Sequence, residues 1–161
     1  GRHGRCCRFD ENDARALGRT ASGVRGINID DDDEVIGMIA YDPTAEDSSA
    51  HSLLVVSEHG YGKRSDFDEY RKTNRGGKGV KTLNITEKTG ELVAMKNVTE
   101  ENDLMIINRS GITIRMAVSD IKVAGRATQG VRLINIKDGD SIAAISAVNK
   151  TEDDAPDQTN E

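Results

Sequence analysis

The 161-residue chain has no tryptophan, two phenylalanines, three tyrosines and two prolines. At 3% aromatic and 35% hydrophobic residues, a single thick core built on a few large side chains is excluded. The alternative is a fold of small units, each burying its faces against its neighbours. No apolar run approaches a membrane span and no signal-peptide pattern is present, so a cytoplasmic chain is expected. The only cysteines, Cys6 and Cys7, are adjacent. Successive strand residues point to opposite faces, which argues against a mutual disulfide or a shared metal. One buried and one exposed thiol in a reducing compartment are expected.

Catalytic chemistry is also missing. His3, His51 and His59 show no ligand spacing and no evident carboxylate partner, and read as surface residues. The serines lack a nucleophile-elbow setting. Asp30–Glu34 is a run of five acids, but an EF-hand loop needs glycine at its sixth position, where Val35 stands. It reads as a solvated loop, and no metal site is expected. Arg75-Gly76-Gly77-Lys78-Gly79 is the densest glycine and basic cluster. A nucleotide P-loop would need Ser or Thr after the lysine and a helix beyond it, and Gly79 follows Lys78.

What is present is one pattern written three times: Arg19–Ile29 (RTASGVRGINI), Arg75–Ile85 (RGGKGVKTLNI) and Arg126–Ile136 (RATQGVRLINI). The copies lie 56 and 51 residues apart, a period that signals stacked or radial supersecondary units. A leading glycine stands 19 residues before the motif glycine in every copy: Gly4, Gly60 and Gly111. Counted from it, five positions keep their charge sign. Offset +4 is Arg8, Arg64 and Arg115; +9 is Asp13, Glu69 and Asp120. Offset +11 is Arg15, Arg71 and Lys122; +15 is Arg19, Arg75 and Arg126; +21 is Arg25, Lys81 and Arg132.

Short apolar, β-branched segments bounded by Gly, Asn, Asp and Ser complete the units: Val35–Ile39, Leu53–Val56, Leu92–Met95, Leu104–Ile107 and Ile142–Ile145. These are strand signals. Gly60 and Gly111 mark hairpin turns that need positive φ. The expected fold is all-β: a propeller-like array of four-stranded blades, with blades near 1–50, 51–101 and 102–148. No apolar strand precedes Gly4, and about three blades leave open edges, so either an arc with exposed edges or closure by self-association is expected. Residues 149–161 read as an acidic disordered tail that solubilises the chain or competes with a polyanion.

Net charge is −6, yet successive segments alternate in sign in phase with the repeat, with residues 1–29, 61–86 and 109–137 positive. In a radial array the positive segments line up as one basic band, and local field decides what a surface attracts. The candidate nucleic-acid contacts are Arg8, Arg15, Arg19, Arg25, Lys63, Arg64, Arg71, Lys72, Arg75, Lys78, Lys81, Arg115, Lys122, Arg126 and Arg132.

With RFDENDARALGRTASGVRGINI, VVSEHGYGKRSDFDEYR, NRGGKGVKTLNI and GRATQGVRLINI, the chain resembles the C-terminal β-pinwheel domain of DNA gyrase A proteins over all but its tail. The resemblance implies three of six blades that wrap double-stranded DNA. Arg75, Gly76, Gly77, Lys78 and Gly79 then stand where a gyrase box ends, in degenerate form, with Thr73 and Asn74 replacing its Gln and Arg. It implies a non-catalytic part of a topoisomerase, so Tyr41, Tyr61 and Tyr70 take no catalytic role. ATP and magnesium act elsewhere, in an A2B2 holoenzyme that contains the rest of gyrase A and two copies of gyrase B. The rivals are the equivalent domain of topoisomerase IV and a protein-binding propeller scaffold.

Overall fold

A computed structural model describes residues 1–150. The tail expected from residue 149 lies outside them, apart from Asn149 and Lys150. Among the described residues there is no α-helix, only strands and four short 3-10 turns, and no helix is long and apolar enough to cross a membrane.

The strands are β1 (Arg5–Cys6), β2 (Ser52–Ser57), β3 (Tyr61–Ser65), β4 (Val80–Lys81), β5 (Leu92–Val98), β6 (Asn102–Asn108), β7 (Thr113–Ala117), β8 (Val131–Arg132) and β9 (Ile142–Asn149). They form three antiparallel sheets, ordered β1-β4, β5-β2-β3-β8 and β7-β6-β9. The β2–β3 and β6–β7 hairpins turn at Gly60 (φ 88°) and Gly111 (φ 89°), as the sequence requires.

The fourth strand of a blade is not its own. The Gly-Val-Arg/Lys segment of each later unit crosses to the hairpin of the unit before. Val80–Lys81 pairs with Arg5–Cys6, and Val131–Arg132 pairs with Tyr61–Gly62, in one register. The motif glycine makes the crossing possible. A Cβ on Gly79 would lie 2.4 Å from the Cys6 carbonyl oxygen, and one on Gly130 would lie 2.5 Å from that of Gly62. Both glycines also hold φ of 75°, a region costly for any side chain.

β2 is buried on both faces. Leu54 and Val56 join a cluster with Leu104, Ile106, Ile121, Ile134 and Ile142, whereas Leu53 and Val55 join one with Tyr70, Leu83 and Leu92. The run LLVV therefore serves two inter-unit cores, one per face, which is how a chain with few aromatics buries enough surface.

Val35–Ile39, expected as a strand, forms none. Its counterparts β5 and β9 pair with β2 and β6, the strands that precede the second and third leading glycines. No such strand precedes Gly4 among the described residues, so this segment has no ladder to join, and Met38 is 89% exposed.

Candidate nucleic-acid interface

Each unit places the same short device after its hairpin. A 3-10 turn occupies offsets +7 to +9: Glu11–Asp13, Phe67–Glu69 and Val118–Asp120. A basic, glycine-rich loop follows and leads into the crossing strand. The repeated cations sit around this device, and their hydrogen bonds divide them into two sets.

The first set faces inward. At offset +15, Arg75 donates through Nε to the Asp13 carbonyl at 2.9 Å and through Nη1 to the Arg25 carbonyl at 2.6 Å. Arg126 repeats this on the Glu69 carbonyl at 3.0 Å and the Lys81 carbonyl at 2.6 Å. The acceptors are offsets +9 and +21 of the preceding unit both times. At offset +4 the reach is forward: Arg8 donates to the Phe67 and Tyr70 carbonyls at 3.0 and 2.8 Å, and Arg64 to the Ile121 carbonyl at 2.8 Å. Arg8 also lies over the Tyr41 ring, which stacks on Phe67. A planar guanidinium with fixed, forked donors suits this bridging of two separated carbonyls.

Lys63 belongs with these. The residue is 1% exposed, and its ammonium donates to the carbonyls of Gly125 at 2.7 Å and Thr128 at 2.9 Å, and to that of Arg126. Burial, helped by the Arg126 charge, lowers its pKa to about 8, with Glu69 opposing. The sequence reading of Lys63 and Arg64 as nucleic-acid contacts is therefore corrected: both are buried and spend their donors inside the protein. Arg8, Arg75 and Arg126 are half-buried clasps between units. Lys72 is paired with Asp10 at 3.0 Å and Arg115 with Asp103 at 2.8 Å.

The second set faces solvent. Arg15, Arg71 and Lys122 at offset +11 are exposed, as are Arg19, Arg25 and Lys78, and none of these side chains has a hydrogen bond or ion pair among the described residues. Lys81 and Arg132 at offset +21 are exposed too, each making one long 3.4 Å bond to the asparagine three residues on. Arg132 also donates to the Tyr61 hydroxyl at 3.0 Å.

The loop Arg75–Gly79 docks on the first unit. The Gly76 amide donates to the Gly26 carbonyl at 2.8 Å, and the Asn28 amide to the Gly77 carbonyl at 2.9 Å. Its glycines hold positive φ at Gly76 and Gly79, and Arg5 donates to the Lys78 and Gly79 carbonyls. Of this cluster only the Lys78 side chain is left free to meet a ligand.

Two further expectations change. Cys6 and Cys7 are both half-buried free thiols, rather than one buried and one exposed. His3 lies 3.7–3.9 Å from carboxylates of Asp32, Asp33 and Glu91, and His51 is 3.2 Å from Asp47. The Asn97 and Asp47 contacts raise the pKa of His51, with Asn97 the larger cause. His3, Asp30 and Asp32 bring ligand atoms within 4.8 Å of one another. Asp30 and Asp32 are exposed and His3 is half-buried, and no second feature marks the group as a metal site.

Comparison with known proteins fits this geometry. The family described as DNA gyrase C-terminal domain, β-propeller, matches residues 1–42, 51–99 and 102–149, the three units in turn. The chain is 48% identical over 159 residues to the DNA gyrase A protein of Staphylococcus aureus strain NCTC 8325, covering 99% of this chain and 17% of that protein. It is 46% identical over 151 residues to the DNA gyrase A protein of Staphylococcus epidermidis, covering 94% of this chain and 16% of the relative. In structure it superposes on a DNA gyrase A C-terminal domain with a TM-score of 0.79 at 23% identity, covering 91% of this chain and 48% of the other. A topoisomerase IV C-terminal domain gives a TM-score of 0.79 at 18% identity, over 92% of this chain and 45% of the other. Fold similarity is thus equal for the two, and the sequence match decides: the chain belongs to the DNA gyrase C-terminal domain family, a β-propeller.

Proposed function

We propose that this chain is a sequence-nonspecific DNA-binding and DNA-wrapping element of a DNA gyrase A protein. The observation that carries the reading is the division of the repeated cations. Arg8 and Arg64 at offset +4 and Arg75 and Arg126 at offset +15 hold the units together, whereas offset +11 puts an unengaged cation, Arg15, Arg71 or Lys122, at the same place on every unit, with the exposed cations of offset +21 beside it. A regular row of free Arg and Lys on a rigid rim suits a phosphate backbone, which binds by counterion release and carries no base information. Bending duplex DNA over such a rim costs several kcal/mol by elastic estimates, and each further phosphate contact offsets part of it.

The phosphate track consists of Arg15, Arg71 and Lys122 with Arg25, Lys81 and Arg132, supplemented by Arg19 and Lys78. The chain spans about one sixth of the curated relatives it matches. The wider role is accordingly part of this proposal: the rim presents a wrapped segment to the cleavage centre of a type II topoisomerase. The rest of gyrase A, its gyrase B partner, ATP and magnesium would complete negative supercoiling in an A2B2 assembly, and the domain would contribute no catalytic group. A protein-binding scaffold would not need unpaired cations kept in phase on all units.

The test is titration of random-sequence duplexes with the chain at several salt concentrations. The reading expects binding that weakens steeply with salt and is indifferent to sequence. Affinity that ignores salt, or that follows one sequence, overturns it.

A further inference from the structure

At the joint between the second and third units, one aromatic ring is shared by two exposed cations. Tyr61, the first residue of β3, is 5% exposed. The Arg132 guanidinium lies 5.4 Å from its ring centroid and donates to its hydroxyl at 3.0 Å. The Lys88 ammonium lies 5.5 Å from the same centroid. Lys88 is exposed and makes no hydrogen bond or ion pair among the described residues, and the adjacent Glu87 pairs with neither cation. An ammonium over a ring still turns its other donors to solvent.

The repeat does not announce this group. Lys88 is the third residue after the motif isoleucine, where the other units have Asp32 and Gly139. Tyr61 follows the leading glycine, where they have Arg5 and Ile112. The turn that carries Lys88 is nonetheless firmly held. The Thr86 amide donates to the Thr89 hydroxyl at 3.0 Å, the Thr89 amide to the Thr86 hydroxyl at 3.3 Å, and the Gly90 amide to the Thr86 carbonyl at 2.9 Å. His59 Nδ1 meets the Glu87 and Lys88 carbonyls at 3.1 and 3.3 Å. Both are acceptors, so Nδ1 is the donor. A pinned turn and a shared ring leave little to order when a ligand arrives, which lowers the cost of binding.

We propose that Lys88 and Arg132, set by the Tyr61 ring, form a two-cation site that takes neighbouring phosphates of one DNA strand. The site rests on the DNA-binding reading of the rim and adds to it a contact outside the repeated positions. Both charges lie within 5.5 Å of one point. Successive phosphates of a strand stand about 3.4 Å apart along the duplex axis, so one short stretch of backbone can meet both.

The salt dependence of random-duplex binding tests this. In Lys88→Met the stem still covers the ring and the charge is gone. The slope of log affinity against log salt should shrink by about 0.9, with affinity about eightfold lower at roughly 0.1 M salt. Lys88→Arg should keep both values. In a Tyr61→Leu background, Lys88→Met should cost less than about threefold, because the ring no longer sets the ammonium. Thermal midpoints check that each variant folds, and the Lys88 pair decides the matter if the leucine background does not. A Lys88→Met slope equal to that of wild type overturns the site and leaves the DNA-binding reading standing. An undiminished Lys88→Met loss in the leucine background overturns the part given to the ring. A wild-type slope near zero overturns the site and the reading together.

Discussion

At the residue scale, what a cation does is set by where its donors end, and Lys63 shows this most sharply. Its ammonium closes the Gly125–Thr128 loop from 62 to 65 positions away in sequence. Nothing in the repeat hints at this, because offset +3 is Cys7, Lys63 and Ile114 in the three units and so carries no common signal. Burial leaves its pKa at about 8, against 10.5 in the unfolded chain. Between these values the unfolded chain holds a proton that the folded chain has released. Stability therefore rises with pH across that window, and is flat below about pH 8 and above about pH 10.5 as far as this group is concerned. Tyr70, pushed up to about 12 by burial, titrates in the opposite sense in both proteins, so a comparison with Lys63→Met removes it. Urea midpoints from pH 7.5 to 10.5 should show wild type gaining on Lys63→Met as pH rises. A constant or narrowing gap would reject the buried-amine account.

At the scale of elements, the repeated arginine is a clasp. Arg75 and Arg126 grip the last residue of the preceding unit's 3-10 turn and the offset +21 residue of its motif, and so tie each unit to the next. The repeat made the positions legible, since equal spacing of equal charges means equal environments. It did not separate inward from outward, because a guanidinium on a carbonyl and one on a phosphate look alike in sequence. The hairpins were legible for a different reason: Gly60 and Gly111 need φ near 90°, and that requirement is written in one residue type. The strand exchange was not legible, because Val80–Lys81 and Val131–Arg132 are only two residues long and pair across units. Replacing Arg126 by lysine keeps the charge and removes the fork. We expect a loss of about 1.5 kcal/mol, or roughly 5 °C in thermal midpoint, with a nearly unchanged dependence of DNA binding on salt. If Arg126 were a phosphate contact, lysine would substitute for it with little change in either reading.

At the scale of the whole molecule, a chain of net charge −6 presents cations in register because its acids are grouped in other segments, as at Asp30–Glu34, or serve in internal pairs such as Asp10–Lys72. The three inter-unit devices (crossing strand, forward clasp, backward clasp) set the pitch at which offsets +11 and +21 recur, and that pitch is what a bent duplex would follow. The measurement that tests this most directly is the slope of log affinity against log salt for random duplex DNA. It should be taken for wild type and for the Arg15→Gln, Arg71→Gln, Lys122→Gln triple variant. Each phosphate contact contributes about 0.9 to the slope, so the triple variant should lose about 2 to 3 while keeping its thermal midpoint. An unchanged slope in a folded triple variant would contradict the phosphate track.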